Sequence, residues 1–177
     1  MKSIKRLAII AMLIAMAIVL NILESFIPVF IPGVKLGLAN VIILIMLYEF
    51  KSSEALAVNI ARIFLVGIMR GNIFTPTFFM SLSGGILAFG FMWLFSRFKF
   101  FSVIGVSVIG SISHCVGQIL VAIIILGTKA VIGYLPFILI LSVVTGVFSG
   151  ILAMTYLKRI IKKKEAWPLF MLLLDRL

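Results

Sequence analysis

The chain has 177 residues, 64% of them hydrophobic and 12% charged, with a formal net charge of +11. A soluble domain is about 45–50% apolar and about 25% charged, so the composition excludes a soluble globular protein and points to an integral membrane protein. The single cysteine, Cys115, excludes an internal disulfide and a cysteine-built metal site. It lies in an apolar run and reads as a packed thiol.

The N-terminus, Lys2-Ser3-Ile4-Lys5-Arg6, precedes an apolar run that contains Ala15-Met16-Ala17. This pattern resembles a cleavable signal peptide. The apolar run continues past the small residues, however, and five more spans follow, so the first is read as a retained anchor. A crossing takes about 20 apolar residues. The expected spans are Leu7–Leu23, Gly37–Tyr48, Ala55–Met69, Phe74–Phe95, Phe101–Leu126 and Ile132–Leu157. The second and third are short, which implies tilt in a thinned bilayer or flanking helix in the interface. The expected fold is an all-α polytopic bundle of six transmembrane helices over residues 1–164. Residues 165–177 are too short to cross again and read as a cytoplasmic or interfacial tail.

The basic residues sit at span ends, the pattern of membrane topology and not of a nucleic-acid surface. With both termini inside, twelve of the sixteen lysines and arginines are cytoplasmic, Lys35, Arg70 and Lys129 are outside, and Arg62 lies within the third span. The expectation is N-in, C-in, which puts the loop Pro32-Gly33-Val34-Lys35-Leu36-Gly37-Leu38-Ala39-Asn40 outside. There Lys35 can attract an anionic group, and Asn40 can cap the second span or bind a ligand. Equally, Pro32-Gly33 is a tight turn and Lys35 an ordinary interfacial charge.

Two spans carry polar stripes. In the third, Asn59, Arg62, Val66 and Arg70 share a helical face. An arginine inside a span costs at least about 2.5–3.5 kcal/mol on insertion scales and normally faces the bundle interior or a wet cavity. Arg62 therefore reads as a group lining a substrate cavity or as one tied to backbone carbonyls. Arg70, near the outer edge, reads as snorkelling. In the fifth span, Ser107, Ser111, His114 and Gln118 share a face. His114 and Gln118 together offer donors and acceptors to a ligand, or link helices by hydrogen bonds. The fourth span (Thr77, Ser81, Gly84, Gly85, Ala88) and the sixth (Ser142, Gly146, Ser149, Gly150, Ala153) carry small residues that suit close helix packing. Ala11 and Ala15 offer a similar surface on the first.

Some chemistries lack their residues. The one aspartate is Asp175, and the four glutamates lie near span ends, so no acidic pair is available to hold Mg²⁺. There is no P-loop and no Ser/His/Asp set, and one histidine makes no metal site. These gaps argue against an autonomous enzyme and against a self-powered pump; no catalytic residue, metal or cofactor is expected.

Three segments, Pro32–Asn40, Thr77–Gly85 and Gly105–Gly110 followed by His114 and Gly117-Gln118, are similar in order and spacing to the bacterial family called Gx transporter or heptaprenyl diphosphate synthase component I. That family resembles the substrate-binding S-components of energy-coupling factor (ECF) transporters. The resemblance implies a small-molecule ligand of vitamin-like, flavin or isoprenoid/quinone-related type, held under the Pro32–Asn40 loop between the third and fifth spans. The loop, the polar stripes and the resemblance together give the expected substrate-binding set Lys35, Asn40, Asn59, Arg62, Ser81, His114 and Gln118. Ala11 and Ala15 match the docking motif toward a transmembrane coupling subunit, with ATPases as further partners. The other family name implies an accessory subunit of heptaprenyl diphosphate synthase in menaquinone biosynthesis. A scaffold for extracellular electron transfer is a third implied role. The expected location is the bacterial cytoplasmic membrane.

Overall fold

A computed structural model describes residues 2–24, 26, 37–98 and 100–174. It is an all-helical bundle: α1 (Lys2–Glu24), α2 (Asn40–Glu49), α3 (Ser52–Met69), α4 (Pro76–Ser96), α5 (Val103–Leu126), a 3-10 turn over Lys129–Tyr134, and α6 (Leu135–Leu174). Five of these helices are long and apolar enough to cross a membrane. α2 is not: its 10 residues extend about 15 Å, half of a hydrocarbon core.

Local chemistry fixes several helix ends. Pro76 opens α4 at a position where its missing N–H costs nothing. The Ser102 hydroxyl caps α5 by accepting from the Gly105 N–H at 3.1 Å. Gly127, at φ +61°, ends α5 in the left-handed conformation that glycine adopts without strain. α6 continues past the expected end of its span at Leu157, through residue 165, to Leu174.

The long helices α3 to α6 run antiparallel each to the next, as their pairings record, whereas α1 and α3 pack in parallel, with Arg6 meeting Glu54 near their starts. Asn59 meets Gly85 and Gly67 meets Phe78 between α3 and α4, while Gly84 meets Gly117 and Met92 meets Gly110 between α4 and α5. Between α5 and α6, Gly150 lies against Ile104 and Ser107, and Gly146 against Val108 and Ser111. A Cβ on either α6 glycine would come within 2.7 Å of α5 backbone. The G-x-x-x-G of α6 is therefore a close-packing surface, as its small residues suggest.

α2 is the centre of the bundle. It packs against α1, α3, α4, α5 and α6, and Asn40 through Met46 are all buried. A helix apolar on every side belongs inside a protein or a membrane. The main apolar core is built on it: Val41–Met46 pack with Leu13 and Ala17 of α1, Ala55 and Val58 of α3, Ala88 and Met92 of α4, Val106 of α5 and Ala153 of α6. The outward faces of the long helices carry exposed Leu, Ile, Val, Met and Phe. That is the arrangement a lipid solvent calls for.

Candidate functional site: a polar cluster at the start of α2

Arg62 of α3 is 2% exposed and is the anchor of the cluster. Its Nε and one terminal nitrogen donate to Asn59 Oδ1, at 3.1 and 2.8 Å. The same terminal nitrogen donates to Asn40 Oδ1 at 2.8 Å. Asn59 completes its own bonding by donating from Nδ2 to the Gly85 carbonyl of α4 at 2.9 Å. Hydrogen bonds to a charged donor are worth about 1.5–3 kcal/mol each, enough to offset the cost of an arginine in this setting.

His114 and Gln118 of α5 form the second half. Gln118 Nε2 lies 3.1 Å from His114 Nε2. The two side chains are thus hydrogen-bonded to each other in the interior. Both side chains pack over Gly84: a Cβ there would lie 2.9 Å from Gln118 Cγ and 3.0 Å from His114 Cε1.

The two halves do not touch across an α3–α5 interface, because α4 stands between them through Gly84 and Gly85. They are joined by the first residues of α2. Asn40 binds Arg62, while Gly37, at φ +86°, lies against the His114 ring, with a built Cβ 3.5 Å from His114 Cδ2 and 2.9 Å from Asn40 Nδ2. A side chain at Gly37 would meet both strain and collision. Between α3 and α5, the α4 glycine pair and the segment leading into α2 stand next to both halves of the cluster.

Glu24, at the end of α1, completes the cluster and was not legible as part of it in the sequence. It is 3% exposed, accepts a hydrogen bond from the Gly37 N–H, and acts electrostatically on Arg62. Asn21, one turn earlier, is buried on the same face. The available signal was the i, i+4, i+8, i+11 spacing of Leu13, Ala17, Asn21 and Glu24, whose polar members extend an otherwise apolar stripe.

The other sequence-derived candidates are dispersed. Ser81 is buried on α4, lining a cavity of about 10 Å³ with Asn21, Asn72, Ile63, Val66, Gly67 and Phe78, room for about one water. Ser107 and Ser111, on the same α5 stripe as His114, serve the α6 packing surface instead. Arg70 is exposed at the end of α3, and Ala11 and Ala15 are exposed on α1. Lys35 and the rest of Pro32–Leu36 lie outside the described residues. Cys115 is buried, its sulfur 2.8 Å from the Ser142 hydroxyl. Among the described residues no group of three His, Cys, Asp or Glu side chains is placed to hold a metal.

The family model described as heptaprenyl diphosphate synthase component I matches residues 13–156. The chain belongs to this family. Neither a curated protein nor a solved structure matches it. The matched segment of this component I chain begins in α1 and ends in α6, so it contains the whole polar cluster and the α2 core. Component I is the accessory, non-catalytic part of the synthase, with catalysis in component II. The family thereby implies a partner subunit.

Proposed function

We propose that this chain is a non-catalytic membrane subunit that binds a small molecule at the Asn40–Arg62–His114 cluster, in the manner of a transporter S-component. The observation that supports this is the convergence of Glu24, Asn40, Asn59, Arg62, His114 and Gln118, from four helices, in an otherwise apolar bundle. Amide and imidazole groups can link membrane helices by hydrogen bonds, but a buried arginine and glutamate gathered at one point inside the bundle are costly and support a functional site. The ligand is of vitamin-like, flavin or isoprenoid/quinone-related type. Lys35 and Ser81 belong to the proposed contact set, Lys35 from the α1–α2 connection.

An ECF-type coupling subunit with ATPases would supply movement across the membrane, docking on Ala11 and Ala15, whose exposure on α1 suits that role. The termini face the cytoplasm of a bacterium in this reading. Purification from the native membrane tests it: the chain should carry a small molecule and co-purify with the ATPase module.

A second reading is favoured by the family match: a membrane accessory subunit that component II requires for prenyl transfer. Reconstitution decides it. Prenyl transfer by component II should rise when this chain is added in lipid, and an unchanged rate counts against the accessory role.

A further inference from the structure

Asn40 and Asn59 serve the same arginine, yet only one of them is fully bonded. A guanidinium has donors and no acceptor. The amide atom that each asparagine turns toward Arg62 is therefore oxygen, and each Nδ2 is forced to the opposite side. Asn59 Nδ2 meets the Gly85 carbonyl. Asn40 Nδ2 is buried and has no hydrogen-bond partner among the described residues, in a residue that is 4% exposed. It sits at the first turn of α2, beside Gly37 and close to the His114 ring, where the helix dipole contributes a partial positive charge. The preceding residue, Ala39, has no side chain able to cap this end.

We infer that the ligand of this site presents a neutral carbonyl-type oxygen to Asn40 Nδ2. This rests on the reading of the cluster as a ligand site and names the chemistry recognised there. An orphan buried donor calls for an acceptor. The charges select the kind: with Lys35 of the proposed contact set counted beside Arg62 and the opposing Glu24, the site carries at most one net positive charge, so Asn40 Nδ2 calls for one hydrogen-bond acceptor and not for a multiply charged anion. A ketone, quinone, amide or flavin carbonyl satisfies that demand. A diphosphate brings more negative charge than the site balances and sets it near Glu24.

The test uses the full chain in lipid nanodiscs with two probes, duroquinone and inorganic diphosphate. Duroquinone is neutral, and its ring has no open position for thiol addition. It should bind saturably and more tightly than diphosphate, and Asn40→Asp, which replaces the donor by an acceptor of the same shape, should weaken it by about tenfold or more. On the wild-type chain alone, the infrared band of the bound quinone carbonyl should move to lower wavenumber, so the inference stays testable if the variant does not fold. Tighter diphosphate binding, equal duroquinone affinity in Asn40→Asp, an unshifted carbonyl band or no binding of either probe overturns it. The parent reading fails separately: a retained molecule without an acceptor oxygen sinks only this inference, whereas a chain purified with no small molecule sinks the ligand-site reading itself.

Discussion

Arg62 illustrates how much of the site a single residue determines. Its position on one face with Asn59 was readable from helical spacing, and its burial followed from the cost of a charge in hydrocarbon. What it binds was not readable, because Asn40 and Glu24 reach it through the α1–α2 connection, and periodicity within a span carries no information about chain return. Glu24 was therefore read as an edge charge although it is buried at the cluster. Replacing Arg62 leaves the Asn40 and Asn59 oxygens and the Glu24 carboxylate without their shared cation. Arg62→Met should lower unfolding free energy in detergent by about 2–4 kcal/mol, measured by denaturant titration. Arg62→Lys, which keeps the charge but loses the planar fork, should fall between it and the wild type. A loss no larger than that of an exposed-site substitution would show that the hydrogen bonds to Arg62 are energetically idle.

At the scale of elements, α4 carries a contrast between two glycines. A Cβ on Gly84 would stand 2.7 Å from the His114 carbonyl oxygen, whereas one on Gly90 meets nothing within 4 Å. Gly84→Ala should therefore cost about 1–3 kcal/mol by forcing α4 and α5 apart. Gly90→Ala should be neutral or stabilise by up to about 1 kcal/mol through helix propensity. Thermal unfolding of both variants checks this, and equal effects would refute the close α4–α5 crossing. Small residues thus made this packing visible in the sequence. The division of the α5 stripe was not visible: Ser107 and Ser111 turn to α6, while His114 and Gln118 turn to α4. Equal spacing on one helix cannot say which neighbour sits at each level. Ala11 and Ala15 point away from the bundle, so Ala11→Trp with Ala15→Trp should leave the unfolding midpoint unchanged while abolishing co-purification of an ECF-type partner. Retained co-purification would remove these alanines from the docking surface.

Across the described residues, five long helices pack around the short α2. The count of helices and most of their ends were legible because long apolar runs are a strong signal; the end of α6 was not, since the helix runs on past Leu157 to Leu174. The central place of α2 was not, since a short apolar helix has the same composition whether it lies in the interface or in the core. Its burial puts Asn40 at the junction of the two polar half-clusters, and the family match spans the same assembly. The central claim, that this junction binds a small molecule, is tested most directly by native mass spectrometry of the chain released from detergent, as wild type and as Arg62→Ala and His114→Ala. The account predicts a bound small-molecule mass on the wild type and its loss, or about tenfold weaker retention, in both variants. A bare wild-type chain, or the same mass retained equally by all three, would contradict it.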